Sequence, residues 1–371
     1  MKLRLLHAAD LHLDSPFEGL PARKASLRRA EQRELLARMA ELVEREGLQL
    51  VLLSGDLLDS DTTYYETGEE LIRSLGRLSV PVFIAPGNHD YYSENSPYAR
   101  LALPENVHVF TKDQIDCVFL PKLNARVYGA AFTDKRSRPL LAGFRAEEKS
   151  AGQINLLCLH GEVGARESIY DPISEVELMQ SGLDYAALGH VHKASGLRRA
   201  GNTWFSWPGC PEGRGFDETG EKFVNIVELD GPRCELRQVS IAKRRYEILR
   251  VNVTGVDPLL AVHTQISDEA VRDVYRVVLT GEVPAPPDLG RLQRNLEEFF
   301  FELQLRDETH LQQSVWERAG EDTLRGLFLK KLRERYDAAR SEAERQQIEQ
   351  AARWGLAAID KREEVVQHDD P

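Results

Sequence analysis

No CxxC pair occurs among the four cysteines, Cys117, Cys158, Cys210 and Cys234, and their wide spacing indicates neither a zinc knuckle nor a disulfide framework. A reducing compartment is expected. Also missing is any apolar run long enough to span a bilayer, so no membrane association is expected. The opening MKLRLLHAAD has the faint look of a secretion signal, but Arg4, His7 and Asp10 break its apolar run, and a soluble cytoplasmic protein is expected. Excess positive charge is lacking as well. A formal net charge of −12 argues against coating nucleic acid by bulk attraction, so any contact with phosphates must be local. There is no GxxxxGK(S/T) loop, so any ATPase must be a partner. Internal repeats and low-complexity tracts are absent too.

What the chain does have is length and core material: 371 residues, 42% of them hydrophobic, are enough for two or three domains. Short β-rich runs alternate with amphipathic stretches in the first half: LRLLHAAD, a helical pattern over residues 27–43, LQLVLLSGD, a second helical stretch over 71–78, then VPVFIAPGNHD. That alternation predicts an α/β sheet. From NVHVF onward strands dominate, through RVYGAAF, QINLLCLHG, LDYAALGHVH, TWFSWPG, KFVNIVELD and CELRQVSI, and predict a second sheet packed on the first with more antiparallel pairing. After KRRYEILRVNV a strand, helix, strand, helix pattern predicts a small separate domain. Beyond Gly320 the chain is helix-forming, with Leu324, Leu327, Phe328 and Leu332 on one face, then Ile348, Ala352, Leu356 and Ile359. The expected division is 1–243, 244–310 and 311–371, with the tail EEVVQHDDP frayed.

Each β-rich run ends in polar residues beside glycine or at a turn. HAADLHLDSP offers Asp10 and His12, two residues apart, and period-two alternation points both the same way if the strand continues. SGDLLD offers Asp56 and Asp59, APGNHD offers Asn88, His89 and Asp90, LCLHGE offers His160, and ALGHVH offers His190 and His192. Any one of these reads as ordinary turn chemistry. Five of them at the carboxyl ends of successive strands, where open α/β sheets place ligands, read as a metal site. His7 and His108 sit inside strand patterns and are expected to be structural, whereas Asp14 and Asp90 either cap loops or support a ligand.

The ordered set DLH, GDLLD, GNHD, His160 and GHVH resembles the calcineurin-like metallophosphoesterase superfamily, over residues 1 to about 210. HAADLHLDSPF and WPGCPEGRGFDE more narrowly resemble the SbcD-type DNA repair nucleases, in their bacterial YhaO-like branch. The resemblance implies a two-sheet α/β/β/α sandwich with a small α+β capping domain and C-terminal helices. It implies two divalent metals bridged by Asp56, one held also by Asp10, His12 and His192, the other by Asn88, His160 and His190. Mixed imidazole, carboxylate and amide ligands favour manganese as the first choice. His89 becomes the candidate general acid and Asp59 the residue that orients it, although related nucleases often carry histidine at the latter position. Arg214, between two glycines in PEGRGFDE, is a candidate phosphate contact. The implied partners are DNA, an SMC-like, SbcC-type ATPase docked on the C-terminal helices, and a second copy of the chain through segments near residues 64–75 and 91–101. Hydrolysis of another phosphoester and a mainly structural ATPase-binding scaffold stand as the alternatives.

Overall fold

The computed structural model describes residues 2–60, 62–165, 167–311 and 315–359; the expected fraying of the tail lies outside them. In chain order the first elements are β1 (Lys2–Ala8), α1 (Ala22–Glu46), β2 (Leu50–Leu53), α2 (Tyr65–Gly76), β3 (Val82–Ile84), α3 (Pro97–Arg100), β4 (Val107–Val109), β5 (Asp116–Leu120), β6 (Ala125–Gly129) and β7 (Ile154–His160). There follow β8 (Glu162–Val163), β9 (Pro172–Ile173), α4 (Glu175–Gln180), β10 (Tyr185–Gly189), β11 (Arg198–Ala200), β12 (Thr203–Ser206), β13 (Val224–Asp230) and β14 (Arg233–Val239). The last are β15 (Tyr246–Asn252), α5 (Pro258–His263), β16 (Val274–Val283), α6 (Leu289–Leu296), β17 (Glu302–Leu311), α7 (Leu324–Ala338) and α8 (Glu342–Ile359).

Two six-stranded sheets, ordered β14-β13-β1-β2-β3-β4 and β11-β12-β10-β7-β6-β5, build the fold. Their burial follows the pleat. Leu3, Leu5, Leu50 and Leu52 of the first sheet meet Leu156, Cys158, Tyr185 and Ala187 of the second in the layer between the sheets. The alternate residues Leu6, Val51 and Leu53 pack under α1 and α2, while Leu157, Leu159, Ala186 and Leu188 pack under α4 and the segment around Leu140. Strands buried on both faces lose the hydrophobic-polar alternation and read as continuous apolar runs, as LVLL and INLLCLH do. The architecture is the expected mixed α/β two-sheet sandwich.

The pairing differs from expectation. Each sheet contains parallel and antiparallel neighbours, and β13 and β14 join the first sheet, with Leu229 opposite Leu3 and Val227 opposite Leu5. In the second sheet β6, β7, β10 and β12 run parallel, so the excess of antiparallel pairing is not found. The geometric reason is that long crossovers, one of them through α4, return the chain to the same edge each time. That edge is where β7 and β10 release their histidines.

The backbone divides into two compact units, one comprising residues 1–249, 265–278 and 293–306, the other 250–264, 279–292 and 307–371. β15, β16 and β17 form a three-stranded sheet in that order. The apolar run FFFELQL ends in β17 rather than continuing a helix. In the second unit Val315, Leu329 and Ala352 form a small core with Trp316, Phe328, Leu332 and Leu356. Of the residues expected on one apolar face, Phe328 and Leu332 pack against Leu329, whereas Leu324 and Leu327 are 71% and 60% exposed. Among the described residues no helix is long and apolar enough to cross a membrane.

Candidate metal centre

β1 stops at Ala8, and Asp10 and His12 then adopt φ of 54° and 44°, as Asp56 (50°) and His190 (92°) do in their own loops. Left-handed backbone is costly for residues other than glycine and clusters at functional sites that over-determine it. The continuing strand expected to align Asp10 with His12 is therefore absent. What aligns them is the neighbouring loop: Asp10 N–H donates to the Gly55 carbonyl (3.0 Å), His12 N–H to that of Asp56 (2.9 Å) and Leu13 N–H to that of Leu57 (2.8 Å).

The hydrogen-bond partners fix where each imidazole lone pair points. His160 Nδ1 lies 2.9 Å from the Ser54 carbonyl, which can only accept, so its Nε2 is left as the ligating atom. That Nε2 faces Asn88 Oδ1 at 3.0 Å and Asp56 Oδ2 at 3.4 Å, and His190 Nδ1 stands 3.3 Å from the same Asn88 oxygen. On the other side of Asp56, His12 Nδ1 donates to Asp59 Oδ1 at 3.0 Å and His192 Nδ1 donates to Glu218 Oε1 at 2.7 Å. Their Nε2 atoms approach to 3.2 Å, with Asp56 Oδ2 3.7 Å from the first and Asp10 Oδ1 3.9 Å from the second. Lone pairs and carboxylate oxygens turned on one another repel unless a cation lies among them.

Potential ligand atoms lie within 4.8 Å of one another in three sets, Asp10/His12/His192, Asp10/Asp56/His160 and His12/Asp56/His89. Asp10, His12 and Asp56 each belong to two of the sets, so the donors form one connected cluster of the kind a pair of divalent ions uses. Gly87 belongs to the same design: a Cβ there would collide with Asp56 Oδ1, which explains the glycine of GNHD sterically.

The electrostatics follow the same geometry. Burial opposes ionisation of Asp56, but the charge and hydrogen bond of His160, with His12 and His89, outweigh it and hold the carboxyl well below its ordinary range. Burial also disfavours a charged His160, yet Asp56 and Asp10 raise it to about 9. Burial lowers His12 and His190 to about 4 each, and it raises the Asp10 carboxyl to about 6 against the pull of His160 and His192.

His89 stands at the rim with 44% of its side chain exposed, and its Nδ1 donates to the Asp59 main-chain carbonyl at 3.0 Å. The Asp59 carboxylate is 4.0 Å away and is bonded to His12, so backbone and side chain of one residue serve two histidines. Beside His89 a cleft of about 250 Å³ is lined by Asp59, Ser60, Asn88, Tyr91, Lys135 and Tyr170. Arg214 lies inside the centre, with Nη1 on Asp59 Oδ1 (3.2 Å) and Nη2 on Glu218 Oε1 (2.7 Å).

Two residues of the centre escape a reading of the sequence. Glu218 closes PEGRGFDE, and its four-residue spacing from Arg214 is the one signal that points to it. Tyr170, whose ring lies 4.8 Å from that of His190, has none. Asp90 is the support that its ambiguous position allowed: fully buried, it accepts the backbone N–H groups of Asp56 (3.2 Å), Leu57 (2.7 Å), Leu58 (3.2 Å) and Gly87 (2.7 Å), and the Tyr98 hydroxyl. Donors converge on it, so an amide NH₂ in its place would meet N–H groups. Asp90→Asn is expected to cost about 1–3 kcal/mol for the acceptor lost, read as a lower denaturation midpoint at unchanged m-value. Asp14 caps α2 through the Tyr64 N–H (3.0 Å) and the Thr67 hydroxyl, and His7 is buried between the Tyr185 hydroxyl (2.8 Å) and the Leu188 carbonyl (3.1 Å), a structural role.

A mixed α/β sandwich whose parallel strand ends gather carboxylates, imidazoles and an amide is the framework of a dimetal phosphoesterase. The profile of the calcineurin-like phosphoesterases matches residues 3–194, and the chain belongs to that family of hydrolases. Among its relatives, the uncharacterized metallophosphoesterase YhaO of Bacillus subtilis is 26% identical over 340 residues, 83% of this chain and 82% of that protein. The DNA double-strand break repair protein Mre11 of Aeropyrum pernix is 24% identical over 274 residues, 67% of this chain and 64% of that one. A subunit of the SbcCD nuclease of Bacillus subtilis is 22% identical over 270 residues, 61% and 66% respectively.

Proposed function

We propose that the chain is a metal-dependent DNA nuclease subunit that hydrolyses phosphodiesters at this centre in DNA repair, in the cytoplasm, with manganese as the native metal. The observation that carries the reading is the convergence of six further candidate ligands, Asp10, His12, Asn88, His160, His190 and His192, on Asp56 beside an open cleft with a histidine at its rim. In this reading Asp10, His12, Asp56 and His192 hold one ion, and Asp56, Asn88, His160 and His190 hold the other. Two bound divalent ions supply Lewis-acid stabilisation of the phosphate oxygens and lower the pKa of an attacking water.

The chain's own residues do the rest. Asp59 and Glu218 hold His12 and His192 in the tautomer that turns Nε2 inward. His89, anchored at Nδ1, gives the proton at Nε2 to the departing sugar oxygen, because an alkoxide is too basic to leave unassisted. Lys135 in the cleft offers a local positive charge to the phosphodiester, which a chain of net charge −12 cannot supply in bulk.

DNA as substrate is supported by the names of the Mre11 and SbcCD relatives. An SMC-like ATPase on α7 and α8 is supported by the SbcCD name and by the exposure of Leu324 and Leu327. Homodimerisation is supported by the exposed Tyr64 and Tyr65 at the start of α2. The net charge favours a second reading, hydrolysis of a phosphoester outside nucleic acid. End-labelled single- and double-stranded DNA incubated with Mn²⁺, beside a chelated control and a small phosphodiester, separates the two. Cleavage of DNA that the chelator abolishes is the expected result. Turnover of the small ester alone, with and without the ATPase, would transfer the assignment to the second reading.

A further inference from the structure

We propose that Arg214 is a positioning residue that, through Asp59 and Glu218, sets metal affinity at the position built by Asp10, His12 and His192. The inference rests on the metal-dependent reading above and adds to it a determinant that lies outside the ligand set.

The geometry is that of a brace. Asp59 and Glu218 each accept the Nδ1–H of one histidine, and Arg214 joins the two carboxylates from behind: Nη1 to Asp59 Oδ1 at 3.2 Å, Nη2 to Glu218 Oε1 at 2.7 Å, and Nε to Glu218 Oε2 at 3.2 Å. The Arg214 backbone N–H closes the loop on Glu218 Oε2 at 2.8 Å. Three of the five guanidinium donors are thereby committed to these carboxylates, which a residue reserved for phosphate would not need.

The glycine beside Arg214 has a reason in the same loop. A Cβ at Gly213 would lie 2.5 Å from the Glu218 carbonyl, so Gly213 lets the loop fold back until Glu218 reaches His192. The loop is anchored on its far side. Glu212 accepts from the buried Arg28 (2.8 Å) and from the backbone N–H groups of Lys243 (3.3 Å) and Arg244 (3.2 Å), and Arg276 lies 4.0 Å over the Phe216 ring. His192 itself is one-third exposed, with the His12 ring 5.0 Å away on one side and Arg214 Nη2 3.2 Å from its Nδ1 on the other. Without the arginine, two carboxylates are left facing each other, Glu218 loses the partner that aims it, and His192 is free to turn its Nε2 away.

Titration of Mn²⁺ into the metal-stripped full-length chain by calorimetry tests this. Arg214→Met is expected to weaken one of two sites by about 10- to 100-fold and leave the other unchanged, the usual range for losing an outer partner of a metal-bound histidine. Glu218→Gln reproduces the effect, Arg214→Lys recovers part of it, and excess Mn²⁺ restores kcat. A melting curve of each metal-free variant reports folding. Wild-type affinities at both sites in Arg214→Met and Glu218→Gln, with KM raised, would overturn the proposal and make Arg214 a phosphate contact. A wild-type chain that binds no Mn²⁺ would overturn the metal-dependent function itself.

Discussion

Replacing Asp56 by alanine is expected to empty both proposed metal positions and to lower phosphodiester hydrolysis by about 1,000-fold or more. Its Oδ2 stands 3.4 Å from His160 Nε2 and 3.7 Å from His12 Nε2, so a single carboxylate faces candidate ligands of both proposed positions. Removing it leaves each set short of its shared anion, and the several kcal/mol that metals contribute to the transition state translate into the stated loss at about 1.4 kcal/mol per tenfold. Two side effects belong to the same change. Alanine at φ near 50° adds about 1–2 kcal/mol of backbone strain, and the His89 N–H loses its acceptor, Asp56 Oδ1 at 2.9 Å. Asp56→Asn separates these from the charge, since asparagine tolerates the left-handed region and keeps one oxygen. Metal content by mass spectrometry with kcat on one preparation is the check, and an alanine variant holding two ions would refute the shared role.

His89→Ala should lower DNA cleavage by about 100- to 10,000-fold, the usual contribution of a positioned proton donor. The loss should depend on the leaving group. A sugar alkoxide needs a proton, whereas a nitrophenolate leaves as an anion, so hydrolysis of an aryl phosphodiester should fall by less than about tenfold. Metal content must be read beside it, because His89 also lies within ligand reach of His12 and Asp56. Equal losses on both substrates, or departure of an ion, would make His89 a ligand and remove the acid from the mechanism.

The candidate ligands were legible because the chemistry forces them into short motifs at strand ends. Asp56, Asn88, His160 and His190 each follow an apolar run that burial on both faces makes continuous. The support beneath them was legible only in part: Asp59 was expected beside His89 rather than His12, and Glu218 was not expected at all. Glu218 reaches His192 across 26 positions and Asp59 reaches His12 across 47, and neither spacing has a period that a strand or helix would impose. An extrapolated strand is not what brings Asp10 and His12 together; left-handed turns held by the 55–58 loop do. Sheet membership of β13 and β14 was invisible for a similar reason, since apolar patterning marks a strand without naming its neighbour.

Crystals of the full chain soaked in Mn²⁺ and measured at the manganese absorption edge test whether two ions share Asp56. Two anomalous peaks flanking the Asp56 carboxylate are expected, one within bonding distance of His12 and His192, the other of Asn88, His160 and His190. A single peak away from Asp56, or none at this cluster, would contradict that sharing.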